Sequence, residues 1–330
     1  MNIRIDKEYG YVFGIEMPRH NEYFLNCDGT FVKRLNSARS CITLAAITEK
    51  AKTVYLPKYI CDSVTKTLIL YGIIVKHYDL DDELKPKLNS INQDSIIVVV
   101  NYFGNFSDNT LKSIAKKYKK VIFDNSQGFF ANPIFSRGIY NVYSPRKFFG
   151  VSDGGYLVWK GKEIDTSIYR KDLSWSRAKY LLKRLDENSN NSYSLFTESE
   201  NDIGYEIKTM SLLTRNILEG IDYETCRKRR IDNIKVIKEK LSKYNQIGGI
   251  INNYPLMCYP FMYRKDGLRE YLVSKKIYVP QWWKKVLEMT EEETIENKLS
   301  KWLYPLPVDH RQTKEDMINI SNIVIEGIEG

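Results

Sequence analysis

The feature that most constrains this chain is a set of short, continuously apolar runs separated by amphipathic stretches. IIVVV at 96–100 and VIF at 121–123 are apolar at every position. A strand in a sheet with one wet face alternates apolar and polar residues. A strand apolar on every residue must be covered on both sides, which is the mark of a mostly parallel sheet with helical crossovers. The pattern runs from 53 to about 161. TVYLP (53–57), IIVKHYDL (73–80), SIIVVVNYFG (95–104), KVIFDNSQ (120–127), GIYNVYS (138–144) and GGYLVWK (154–160) read as strands with their exits. DSVTKTLILYG (62–72) and DNTLKSIAKKY (108–118) read as helices, and Gly72 and Gly104 punctuate element ends. Residues 162–200 are polar, with the Asn/Ser-rich 186–194 expected as an exposed excursion. A long helical stretch from 211 to 244 follows. The last segment is α+β, with MCYPFMY (257–263), KKIYVP (275–280) and a closing helix at 313–327.

At 330 residues the chain is too long for one small core. We expect an N-terminal arm at 1–30, a large α/β domain at 31–215 and a smaller α+β domain at 216–330. No stretch reaches the roughly 18 apolar residues that cross a bilayer, and the first residues show no signal-peptide core. Five scattered cysteines without C-x-x-C and three distant histidines indicate neither a disulfide framework nor a metal site. A cytoplasmic, metal-free protein is the simplest expectation. The formal charge is +9. KSIAKKYKK (112–120) and RKRR (227–230) read as solvated helix faces, because no nucleic-acid motif accompanies them. The excess positive charge favours an anionic, phosphorylated small substrate.

In an open parallel sheet, ligands sit at the carboxyl ends of the strands. Three strand exits carry polar residues: Asn101-Tyr102-Phe103-Gly104, then Asp124-Asn125-Ser126-Gln127-Gly128, then Ser144-Pro145-Arg146-Lys147. A carboxylate directly after Val-Ile-Phe is buried enough to need a partner. That partner is either a nearby lysine or helix end, or the protonated ring nitrogen of pyridoxal phosphate. Lys147 follows the next strand and precedes a Gly-rich stretch that lets backbone approach a ligand. Shielded from water, such a lysine attacks an aldehyde readily. LNSARSCITLAAITEKA (35–51) runs from a Ser/Asn turn into a helix. Its N-terminus is either an ordinary cap at Asn36 or Ser37, or a phosphate cradle with Ser37 and Arg39 at hand.

The order Ser-Ala-Arg at a helix start, then D-N-S-Q (124–127), then K-F-F-G-V-S-D-G-G (147–155), resembles the DegT/DnrJ/EryC1/StrS aminotransferases. LYPLPVDHRQTKEDM (303–317) and VYLPKYICDSVTKTLILYG (54–72) are similar to further segments of that family. The resemblance implies fold-type I: a large domain with a mostly parallel central sheet flanked by helices, plus a smaller α+β domain. It implies pyridoxal phosphate held on Lys147 as a Schiff base, Asp124 on the pyridine nitrogen and Gln127 on the 3-hydroxyl side. Ser37, Ala38 and Arg39, joined by Ser144, would hold the phosphate. The family's ring-covering aromatic position is Cys61 here, so the resemblance leaves Tyr59 and Tyr102 as the stacking candidates. Ala-Arg stands where the family has Gly-Thr, and 204–211 lacks the asparagine of the family's cross-subunit loop, with Lys208 in its neighbourhood.

The activity so implied is an aminotransferase passing nitrogen from glutamate or glutamine to a nucleotide-linked keto-sugar, in surface-polysaccharide or secondary-metabolite synthesis. The implied assembly is a homodimer without nucleic-acid or membrane partners. Arg170, Lys171, Arg177 and Lys183 are candidate contacts to a sugar diphosphate. The rival expectations are a lyase or dehydratase on the same scaffold, and a catalytically silent binding protein.

Overall fold

The computed structural model describes residues 13–27, 29–187, 190–247 and 251–330. The first part of the expected N-terminal arm and part of the 186–194 excursion lie outside them. The strands are β1 (Thr30–Leu35), β2 (Thr53–Pro57), β3 (Ile74–Tyr78), β4 (Ser95–Val100), β5 (Val121–Asn125), β6 (Ile139–Tyr143), β7 (Gly155–Lys160), β8 (Tyr259–Met262) and β9 (Leu303–Leu306). The helices are α1 (Ala38–Thr48), α2 (Asp62–Leu70), α3 (Asp108–Tyr118), α4 (Lys179–Asp186), α5 (Tyr193–Asp202), α6 (Leu212–Glu219) and α7 (Tyr223–Leu241). After them come α8 (Leu268–Ser274), α9 (Val286–Met289), α10 (Ile295–Trp302) and α11 (Lys314–Glu329).

Strands β1 to β7 form one sheet in the order β1-β7-β6-β5-β4-β2-β3, and only β7 runs against the others. Every residue of β4, β5 and β6 is buried. The expectation drawn from their continuous apolar runs is therefore met, and helices such as α1 cover the sheet. Strand β1, which the sequence did not suggest, extends the sheet by pairing with β7 from Thr30↔Lys160 to Leu35↔Gly155. Helix α3 shows the local logic: the Ser107 hydroxyl caps its start by accepting from the Thr110 N–H, and Lys116 and Lys117 face its C-terminal carbonyls. Its Leu111, Ile114 and Tyr118 are buried while Lys112, Lys116 and Lys117 are exposed, so this basic run is a solvated face.

The helical stretch after 211 is two helices rather than one. It breaks at Gly220–Asp222, where Asp222 caps α7 by accepting from the Thr225 N–H. Helix α7 packs on α11, and α11 starts with a reciprocal capping box between Thr313 and Asp316. Strand β8 pairs with β9, whereas the 275–280 segment forms no strand. The polar 162–200 stretch holds α4 and most of α5 and exposes large apolar side chains, among them Leu173, Trp175 and Leu185. Among the described residues, no helix is long and apolar enough to cross a membrane.

Candidate active site

The carboxyl ends of β1, β2, β4, β5 and β6 lie along one edge of the sheet, and so does the start of β7. The cofactor-site residues expected from the sequence, Asp124 apart, follow these ends. Ser37, Ala38 and Arg39 come after β1, Tyr59 after β2, Tyr102 after β4, Gln127 after β5, and Ser144 and Lys147 after β6. Asp124 is the second-last residue of β5 and is aligned with Val142 of β6, so Asp124 and Lys147 leave neighbouring strands.

The start of α1 is built over a glycine floor. A Cβ added to Gly155 would stand 2.7 Å from the Ala38 nitrogen and overlap the Ser37 carbonyl group, so no other residue fits beneath this turn. The Ser37 hydroxyl caps the helix, accepting from the Ser40 N–H at 3.3 Å. The ordinary-cap reading is thus realised for that side chain. The amides of Ala38 and Arg39, first in the helix, have no intrahelical acceptor and face the positive end of the dipole. The Arg39 guanidinium turns away, donating to the Gly204 carbonyl at 2.6 and 3.1 Å and lying over the Tyr205 ring. Asn36 knits this corner together. Its N–H donates to the Lys208 carbonyl, its carbonyl accepts from the Gly154 N–H, and its side chain bonds Glu206 and Lys208. The 204–211 loop therefore rests on the α1 start of its own chain. Asp153 fastens the loop's end: its fully buried carboxylate accepts from the Ser211 N–H and hydroxyl and from the Thr214 hydroxyl.

Asp124 is buried, and its Oδ1 accepts from the Ser126 N–H at 2.9 Å while Oδ2 has no partner among the described residues. Its charge is felt nearby. Burial first, and then this carboxylate, push the Cys41 thiol up. Gln127 is buried with its Oε1 accepting from the Phe103 N–H at 2.7 Å, which leaves its amide nitrogen available. The Gln127 turn and the turn after β4 touch through glycines. A Cβ on Gly104, whose φ is +82°, would meet the Gln127 carbonyl oxygen at 2.7 Å. Ser144 is buried and its hydroxyl makes no hydrogen bond among the described residues. Lys147 ends a 3₁₀ turn, Pro145–Lys147. Its amine is exposed rather than shielded in the single chain, and it makes no hydrogen bond or ion pair among the described residues, though its charge reaches the buried Cys258 thiol.

Tyr59 and Tyr102 are both buried and lean on each other with centroids 5.7 Å apart. Tyr102 donates to the Tyr59 carbonyl, and Trp283 closes on Tyr59 edge to face at 4.5 Å. Cys61, at the N-cap of α2, is only half buried. Of the four basic residues expected to meet a diphosphate, Arg177 is buried and paired with Asp172 at 2.5 Å. Arg170 pairs with Glu206 and Lys183 with Glu187, and Lys171 is exposed. The sequence reading passed over Arg146. It is largely buried beside Lys147, is paired with Glu200, and is lowered to about 10 by burial. Its position directly before Lys147 was the signal. Trp283 had none, since it reaches the edge from far along the chain.

Comparison with solved structures settles what this architecture is. A DegT DnrJ EryC1 StrS aminotransferase from Brucella abortus superposes with a TM-score of 0.61 at 14% identity, over 90% of this chain and 85% of that one. PseC of Helicobacter pylori, an aminotransferase involved in the biosynthesis of pseudoaminic acid, gives 0.61 at 13% identity, over 91% and 86%. The PMP form of a putative sugar aminotransferase of Streptococcus pneumoniae gives 0.63 at 12% identity, over 90% and 88%. The chain has the fold-type I aminotransferase fold. No family model and no curated protein sequence matches it, so the likeness is carried by structure.

The residues at the strand edge of this aminotransferase fold fit pyridoxal phosphate on three observations. The unclaimed Asp124 Oδ2 suits a protonated ring nitrogen. The first amides of α1, over a floor that only glycine permits, suit a phosphate. The unpartnered Lys147 amine, leaving the strand beside Asp124, suits the aldehyde.

Proposed function

We propose that the chain is a pyridoxal-phosphate-dependent aminotransferase, moving an amino group from glutamate or glutamine to a nucleotide-linked keto-sugar in surface-polysaccharide or secondary-metabolite synthesis. The observation that carries the reading is the placement of Asp124 and Lys147 at the exits of neighbouring strands, each with an atom that makes no hydrogen bond or ion pair among the described residues. When bound, pyridoxal phosphate supplies an electron sink for the carbanion at the substrate's α-carbon. The Ala38 and Arg39 amides and the Ser144 hydroxyl would hold its phosphate. Asp124 Oδ2 would keep the ring nitrogen protonated, and the Gln127 amide would meet the 3-hydroxyl side. Lys147 would hold the group covalently, and its freed Nζ would serve as the base for the proton on the donor α-carbon. Retention of this lysine favours transamination over the lyase and dehydratase readings. A net charge of +9 suits a diphosphate-bearing substrate, and five unpaired cysteines suit a cytoplasmic setting.

The substrate class is tested by loading the chain with pyridoxamine phosphate and mixing it with nucleotide-linked keto-sugars and with simple keto acids. The absorbance of the aldehyde form should return with the sugar nucleotides. Return with small keto acids alone would place the enzyme in amino-acid metabolism, and return with neither would remove the aminotransferase reading.

We also propose that the working form is a homodimer. Its support is the 162–212 region, where Leu173, Trp175 and Leu185 are 70%, 69% and 83% exposed in the single chain. Large apolar side chains clustered in one segment of surface call for a partner. The second copy would also cover the Lys147 edge, which is open here. Light scattering should give twice the mass of one chain, and a monomer that transaminates would end this proposal.

A further inference from the structure

Arg230 lies deep in the protein, 1% exposed, yet among the described residues no carboxylate hydrogen-bonds it. Asp309, the acid whose charge Arg230 feels most, is hydrogen-bonded to Arg311 at 2.7 and 3.1 Å. Arg230 spends its donors on backbone instead. Nη1 donates to the Leu256 and Met257 carbonyls at 3.0 and 3.2 Å, and Nη2 donates to the Phe148 carbonyl at 3.4 Å. Its guanidinium carbon lies over the Phe148 ring, 4.5 Å from the centroid, and its Nε has no hydrogen-bond partner among the described residues. Burying a guanidinium against neutral acceptors is costly. The cost is met where a rigid fork of donors holds several chain segments at once, which a point charge such as lysine cannot do.

The segments it holds are those of the site. Phe148 directly follows Lys147, and the Phe148 and Phe149 N–H groups both close back onto the Pro145 carbonyl at 2.9 and 2.8 Å. The turn bearing Lys147 is thus shut on one side by its own backbone and on the other by Arg230. Met257, the second segment, donates its N–H to the Phe103 carbonyl at 3.0 Å, and the Phe103 N–H donates to Gln127 Oε1. One continuous run of bonds joins Lys147 to the Asp124–Gln127 turn, and Arg230 is its centre.

We propose that Arg230 is a positioning residue, fixing the backbone of Lys147 relative to the turn that carries Asp124 and Gln127. The proposal rests on the reading of Lys147 as the residue that captures pyridoxal phosphate. Displacement of a reacting group by a fraction of an ångström costs rate without changing the group's own chemistry.

The test compares the full chain with Arg230→Lys and Arg230→Met, all freed of pyridoxal phosphate. Each is mixed with pyridoxal phosphate, reduced with borohydride at timed intervals, and digested to quantify the adduct on Lys147. In parallel, each is acetylated without pyridoxal phosphate, and Lys147 is compared with the exposed Lys228 of α7. The expected result is capture at Lys147 slowed about tenfold or more in both variants, with the Lys147-to-Lys228 acetylation ratio unchanged. Capture at the parent rate in the variants overturns the proposal. Unfolding of both variants overturns it too, since Arg230 would then be a general support of the core. An unmodified Lys147 in the parent chain would instead remove the aminotransferase reading and this inference with it.

Discussion

Lys147→Ala should fold and melt as the parent does, and should lose turnover by about 10⁴-fold or more. The first half follows from the side chain's isolation. It is exposed and bonded to nothing among the described residues, and surface substitutions of that kind shift stability by only about 0.5 kcal/mol. The second half follows from its double duty, because one substitution removes both the covalent anchor and the base. Borohydride treatment of the parent followed by peptide mapping should put a pyridoxyl group on Lys147, and the variant should carry none there. An adduct mainly on another lysine, or turnover in the variant near that of the parent, would sink the assignment.

Asp124→Asn should bind pyridoxal phosphate and lose about 10²- to 10⁴-fold in turnover, the range that a mispositioned or missing proton commonly costs. Asparagine can still accept from the Ser126 N–H through its carbonyl oxygen, so the turn after β5 keeps its shape. What it cannot do is hold a positive ring nitrogen with a full negative charge, and the electron sink weakens accordingly. Steady-state rates beside an absorption spectrum of the loaded variant decide the matter. Activity close to the parent's would make Asp124 a structural residue only.

The sheet could be read from the sequence because strands buried on both faces advertise themselves: IIVVV and VIF admit few other arrangements. The positions of Asp124 and Lys147 at strand exits could be read because such exits in a parallel sheet are few and polar residues there stand out. Strand β1 could not. TFVKRL mixes buried and half-exposed positions, and its partner β7 lies beyond five intervening strands of sequence. Arg230 was hidden for a different reason. In RKRR three residues are exposed and one is buried, and a run of four like charges carries no apolar period to say which one turns inward. The 162–200 segment reads as polar surface through its many charges, and nothing in that reading marks the large apolar side chains left outside between them.

The glycine floor under α1 has a consequence for how the molecule comes to exist. Helix α1 can wind as soon as its residues are made, but Gly155 reaches it only through a strand pairing that closes a loop spanning much of the large sheet. Contacts of such separation form late, since the chain entropy of closing the loop is lost before they return anything. During synthesis the helix therefore waits, its amides open to solvent, for about a third of the chain to follow. A fragment ending short of β7 would hold the helix and its cap, yet no cradle.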